Sequence, residues 1–164
     1  MHPEIFSIAL FWFVAAYTPG PNNVVASYSG FNFGITKTIP HILGVTLGFT
    51  SLVIFLIIGL INIFKLFPII QIIIKYHGTL FLIYLAYKIA SSTNSDHINK
   101  ENPVKFFETF IFQYLNPKGV MVAIIVVSNY VELGENYISY ATQVALLAFL
   151  FSSTSITLWT FIGK

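Results

Sequence analysis

The chain contains no cysteine and no arginine. Without cysteine there is no disulfide framework, no thiol redox chemistry and no thiolate metal site. All eight basic residues are lysines, scattered rather than gathered into a stripe, so nothing marks a nucleic-acid surface. Charge of either sign is scarce: charged residues make up 9% of the 164, against roughly a quarter in a soluble domain. That leaves too little polar surface to cover a water-exposed globule. The six acids, Glu4, Asp96, Glu101, Glu108, Glu132 and Glu135, fall mostly in loops or at the ends of apolar runs. They make neither an intramembrane carboxylate pair nor an oxygen cage for a divalent ion. The serines show no nucleophile elbow or paired base. No enzyme constellation, metal site or cofactor is expected.

What is present is apolar: 56% of the residues are hydrophobic, and the mean hydropathy is +0.80. About 20 apolar residues cross a bilayer. On that measure the sequence predicts five spans, at 4–24, 39–61, 69–90, 106–130 and 138–162, and hence an all-α polytopic transmembrane bundle. The first run, Ile5 to Tyr17, follows His2 and Glu4 rather than a basic segment, and prolines rather than a small-residue cleavage site come after it. It reads as a retained helix and not a signal peptide. A polar stretch, Ser91 to Pro103, divides this single membrane domain, 1–164, into a first half at 1–90 and a second at 104–164. The first half supplies three spans and the second two, so a three-plus-three inverted repeat would lack its sixth helix. A truncated chain and a true five-span protein both satisfy that pattern. With the N-terminus outside, Lys37, Lys88, Lys100, Lys105 and Lys164 fall on the cytoplasmic side, as the positive-inside rule favours.

Two proline breaks interrupt the apolar runs: Thr18-Pro19-Gly20-Pro21-Asn22-Asn23 and Leu115-Asn116-Pro117-Lys118-Gly119. Proline removes a backbone donor and clashes with the preceding turn. In lipid such damage is tolerated where the freed groups face protein, water or a solute. Paired breaks in corresponding positions of two halves point to a transporter's midplane site. Unwinding at the first break frees the Ala15 to Thr18 carbonyls and aims the N–H groups of a restarted helix inward, where a carboxylate could dock. Pro19, Gly20 and Pro21 would unwind the helix, while Asn22, Asn23 and Asn116 would bind polar substrate groups beside Pro117. Lys118 is the sharpest single residue, since a lysine at depth costs roughly 2.5–3.5 kcal/mol and should face a cavity or a partner. It would be the electrostatic anchor. The plainer alternatives are a helix-ending turn at the membrane surface and a lysine snorkelling to the interface.

Gly44 and Gly48 form a Gly-xxx-Gly face suited to close helix packing. Tyr76, Tyr84 and Tyr87 read as interfacial or packing aromatics, and Lys75 and His77 as headgroup-level residues. His41 lies near the start of the second span. Ser152, Ser153, Thr154, Ser155 and Thr157 make a hydroxylic turn that either bonds back to helical carbonyls or lines a polar path.

Together the two breaks resemble the LysE/RhtB family of amino-acid exporters. The likeness continues through Gly30, Gly34, Gly44 and Gly48, through Gly78 with Leu82-Ile83-Tyr84-Leu85, and to Trp159 in the fifth span. It implies proton-driven export of an amino acid or close analogue across the cytoplasmic membrane by a six-helix inverted repeat that associates into oligomers. Three features depart from the family pattern: Phe49 stands where an acid often follows the second-span glycine, a basic pair is reduced to Lys37, and no sixth hydrophobic segment follows Lys164. The competing readings are an exporter of another small solute and a truncated or non-transporting membrane subunit that needs a partner helix.

Overall fold

Proline and glycine set most of the helix boundaries in this chain. A computed structural model describes residues 1–60, 103–131 and 134–164, with isolated positions 66, 67, 69, 73, 76, 80 and 83 between them. Helix α1, Ile5–Tyr17, stops at Thr18, which is extended (φ −66°, ψ 142°), as a residue preceding proline is pushed to be. Gly20 is extended as well, and α2, Pro21–Phe55, restarts with proline in its first turn, where the missing N–H would have had no helical partner anyway.

Helix α2 is folded on itself. Gly34 has φ +76° and ψ 171°, a conformation open to glycine and strained for other residues. Beyond it the chain runs back along its own path. Ser29 Oγ lies 2.8 Å from Thr38 Oγ1, and His41 Nε2 lies 3.3 Å from the Asn22 carbonyl, 19 residues away. In a straight helix that separation would be about 28 Å. The arms 21–33 and 35–55 are therefore antiparallel neighbours. This corrects the predicted boundaries: residues 25–38, expected to connect the first two spans, are helical except at one glycine. The Ser, Asn and Thr residues there lower the local hydropathy without ending the helix, and buried Ser29 and Thr38 satisfy each other across the hairpin.

The second arm closes in a π turn, Leu56–Leu60, whose Gly59 has φ +144°. Tyr137 Oη donates to the Ile57 carbonyl there at 2.7 Å. In the second half, α3 (Phe106–Leu115) and α4 (Pro117–Tyr130) flank Asn116 and are bent by 61°. Helix α5, Tyr137–Ile162, is continuous. Most of the third predicted span, nearly all of the 91–103 stretch, Lys65, Lys75, His77, Lys88 and Glu132 lie outside the described residues. The described positions Ile69, Ile73, Tyr76, Leu80 and Ile83 are all exposed and share one helical face.

Close backbone approach holds the bundle together. A Cβ on Gly30 would collide with the Thr160 backbone, and one on Gly163 with that of Ser27, which seats α5 on the first arm of α2. A Cβ on Gly44 would lie 2.7 Å from the Phe106 carbonyl, and one on Gly48 2.7 Å from that of Phe110. The Gly-xxx-Gly face thus packs the second arm of α2 on α3. Two apolar clusters lie along the bundle: Ile8, Trp12, Leu52, Leu56, Val120, Val126 and Val144 toward one end, and Ala26, Val45 and Ile156 toward the other.

The surface is apolar where a soluble protein's would be polar. Phe6, Phe31, Phe107 and Ile138 are 79%, 74%, 73% and 78% exposed, whereas Thr38, His41, Gln113, Asn116, Ser155 and Thr160 are buried. That distribution suits a lipid surround. By length and composition the Pro21–Gly59 stretch and Tyr137–Ile162 each hold a segment apolar enough to cross a membrane, the first being the hairpin folded at Gly34, and the bent α3–α4 pair makes a broken span.

Candidate functional site

The first break leaves carbonyls that helix geometry no longer serves, and side chains from three places serve them. Thr18 Oγ1 donates to the Ala15 carbonyl at 3.2 Å. Asn23 Nδ2 donates to the Ala16 carbonyl at 3.0 Å and to the Thr18 carbonyl at 2.9 Å. From α5, Ser155 Oγ donates to the Ala16 carbonyl at 2.8 Å. From the second break, Lys118 Nζ donates to the Thr18 carbonyl at 2.8 Å, Thr18 Oγ1 at 3.0 Å and the Pro19 carbonyl at 3.4 Å. Gly20 makes room for this reach, because a Cβ there would sit 3.1 Å from Lys118 Cδ and Nζ. One ammonium therefore ties together two breaks about a hundred residues apart.

The second break is milder. Asn116 N–H still donates to the Phe112 carbonyl at 2.8 Å, and the Asn116 carbonyl still accepts from Val120 N–H at 2.9 Å. The side chain of Asn116 is 3% exposed, and its Oδ1 has no partner.

A third set of contacts clamps the helices. Asn22 Nδ2 donates to Gln113 Oε1 at 2.7 Å, and Gln113 Nε2 donates to Asn22 Oδ1 at 3.2 Å. Gln113 also donates to the Thr109 carbonyl at 2.8 Å. His41 Nε2 faces the Asn22 carbonyl, which can only accept, so that nitrogen carries the proton. His41 Nδ1 meets Thr109 Oγ1 at 3.1 Å.

These groups surround a cavity between the two apolar clusters. Its wall includes Trp12, Ala16, Gly20 to Asn23, Phe49, Gln113, Asn116, Lys118, Gly119, Phe151, Ser152 and Ser155. It offers about 70 Å³, where a single water needs roughly 10–15 Å³, so it holds several waters or one small solute. Phe151 to Ser155 sit near the middle of α5 and Phe49 near the middle of 35–59, which puts the cavity at half depth. Among the described residues no aspartate or glutamate lines it, and Glu4, Glu108 and Glu135 are exposed.

Of the residues singled out from the sequence, Gly20, Pro21, Asn22, Asn23, Asn116 and Lys118 come together on this wall, while Pro19 and Pro117 shape the breaks without lining it. Asn23 spends both amide hydrogens on carbonyls of the first break, and Lys118 meets three acceptors there. Sequence reasoning missed Trp12 and Gln113. A lone glutamine within the apolar run of α3 was the available signal for the second. Of the hydroxylic turn, Ser152, Ser153 and Thr154 bond back within α5, and Ser155 alone of these four crosses to the break.

A helical membrane bundle whose broken helices meet around a half-depth cavity defines a transporter of the discontinuous-helix kind. The LysE type translocator family matches residues 13–163, and the chain belongs to that family. It is a translocator and not an enzyme. The cysteine/O-acetylserine efflux protein of Salmonella choleraesuis (strain SC-B67) is 28% identical over 160 residues, covering 95% of this chain and 82% of the relative. The protein of the same name from Escherichia coli (strain K12) is 26% identical over 167 residues, covering 99% of this chain and 84% of the relative. No solved structure matches the chain.

Proposed function

We propose that this protein exports small zwitterionic amino acids, of the size and polarity of cysteine and O-acetylserine, across the cytoplasmic membrane. The cavity where the two breaks meet carries the reading: it is small, half-buried in the bundle, and lined by amides, hydroxyls, apolar side chains and one lysine, with no carboxylate. A carboxylate group of the substrate finds the positive field of the Lys118 ammonium, whose hydrogens serve the first break, and the helix starts at Pro21 and Pro117, neither of which has a side-chain cap. The described wall offers amide and hydroxyl groups, and no acid, to a positive charge on the substrate. The relatives' names supply the substrate class, and the cavity chemistry is compatible with it.

Alternating access comes from residues 1–90 rocking against 104–164 around the breaks, each half being one repeat. The proton gradient drives export, with the His41 imidazole and the Lys118 ammonium as the groups beside the first break. The N-terminus is outside. Lys37, Lys105 and Lys164 support this, since all three belong to the end of the bundle that carries the Gly34 turn, opposite His2. The protein works as a homo-oligomer, which the mass of the detergent-solubilised particle tests: a monomeric mass rules it out.

The decisive experiment is efflux from proteoliposomes loaded with labelled O-acetyl-L-serine, L-cysteine or L-lysine, with and without an imposed pH gradient. Selective, gradient-dependent loss of the first two is expected. Export of lysine alone, or of none, overturns the substrate reading, and indifference to pH overturns the coupling. Because the chain has no native cysteine, single cysteines test topology directly. A membrane-impermeant maleimide should label Gly134→Cys and spare Lys164→Cys in intact cells, and the reverse pattern would place the N-terminus inside.

A further inference from the structure

Among the described residues, three buried side-chain polar atoms have no hydrogen-bond partner: Trp12 Nε1, Asn116 Oδ1 and Thr46 Oγ1. Such groups are rare, since leaving one unpaired costs roughly 1–3 kcal/mol, and a functional role is among their ordinary explanations. The residues that carry two of the three, Trp12 and Asn116, line the same cavity, and Thr46 does not. Trp12 is 1% exposed and Asn116 3%. They come from opposite halves of the chain, one a turn and a half before the first break and the other at the second. Their chemistry is complementary, because an indole N–H only donates and an amide oxygen only accepts. Phe49 and Gly119 join them into one wall: the Trp12 ring meets Phe49 edge to face at 5.5 Å, and a Cβ on Gly119 would lie 3.6 Å from both the Phe49 ring and Asn116 Nδ2.

We propose that Trp12 and Asn116 are the substrate-reading pair: the indole N–H donates to an oxygen of the transported amino acid, and Asn116 Oδ1 accepts from its ammonium. This deepens the transport reading above and rests on it. A neutral amide, rather than a carboxylate, receives the ammonium, which limits the cavity to a substrate with one positive charge. Gln113 Oε1 is already taken by Asn22 Nδ2, and Asn23 and Gln113 have spent their amide hydrogens on the break and the clamp, so neither offers a spare donor to a substrate oxygen. The two unpaired atoms hold no bond in the empty protein, so removing either leaves the empty protein's hydrogen bonding intact and weakens only the loaded state.

The test uses the full chain in proteoliposomes loaded with O-acetyl-L-serine, alongside melting of the empty protein in detergent. Replacing Trp12 by benzothienylalanine keeps the ring volume and exchanges the N–H for sulfur. It should leave the melting temperature of the empty protein unchanged and lower efflux efficiency about tenfold, the worth of one hydrogen bond. Asn116→Leu should lower efflux similarly. It should also erase discrimination against the acetoxypropanoate analogue that lacks the ammonium, which the wild type is expected to disfavour at least about tenfold as a competitor. Unchanged efflux by both variants in an active wild-type background overturns the pair and leaves the transport reading standing. Lower melting of the empty benzothienylalanine protein also overturns it, by showing that the N–H had a partner of its own. A wild type that moves no amino acid sinks the transport reading instead. Should Asn116→Leu fail to fold, the position-12 replacement decides alone.

Discussion

The two breaks share one design and differ in how completely they are closed. Each restarts a helix with proline in its first turn after an extended residue, Gly20 or Asn116. The first is three residues long, and its freed carbonyls are served by Thr18, Asn23, Ser155 and Lys118. The second is one residue long, keeps its flanking backbone bonds, and leaves the Asn116 side-chain oxygen unpaired. The difference separates architecture from recognition. A break saturated with internal donors is held in shape, whereas a break with an unmet acceptor has capacity for something from outside.

Lys118 is where the two meet, and removing it should have the largest effect. Lys118→Ala strips three acceptors of a charge-assisted donor, each such bond being worth roughly 1.5–3 kcal/mol. Efflux per inserted molecule should fall by more than about tenfold while membrane insertion is unchanged; normal flux would take the lysine out of the mechanism. Next comes a direct contrast between the breaks. Asn23→Leu loses two part-buried hydrogen bonds and should destabilise by about 2 kcal/mol in detergent denaturation. Asn116→Leu loses none at Oδ1 and removes a buried unpaired acceptor, so stability should be unchanged or higher. Equal losses would erase the distinction drawn between them.

Much of this was legible in the sequence because the signals are local. Proline and glycine act on their own turn, so Pro19-Gly20-Pro21 and Asn116-Pro117 locate both breaks without knowledge of the fold, and Gly44 with Gly48 announces a close helix contact. The rest depends on partners far apart in sequence. Nothing near Gly34 distinguishes a reversal from a packing glycine, because its φ of +76° is fixed by the arms it joins. Ser155 looks like its hydroxyl neighbours until α5 is laid beside α1. Trp12 reads as an ordinary core aromatic, and its unpaired N–H emerges only when the surrounding cavity is assembled.

Two smaller effects sharpen the contrast further. Gly48→Ala places a methyl 2.7 Å from the Phe110 carbonyl and 2.8 Å from Gln113 Cγ, so α3 must shift. A loss of about 1–3 kcal/mol, typical of overpacking, is expected as a lower detergent melting temperature, and an unchanged value would mean α3 is loosely held. Ser155→Ala removes one of two donors on the Ala16 carbonyl, with Asn23 remaining. Its expected effect is the smallest, about 0.5–1.5 kcal/mol by denaturation. A larger drop would show that α5, and not Asn23, is the main support of the first break.

The Gly44 and Gly48 contact also bears on how the bundle moves. Helices that interlock through large side chains must lift apart before they can shift past one another. Along this strip α3 lies against bare backbone, with Thr109 and Gln113 resting on a surface that has no knobs to climb over. The interface keeps the two helices tightly apposed sideways, and what fixes their register along its length is the Asn22–Gln113 amide pair rather than interlocked side chains.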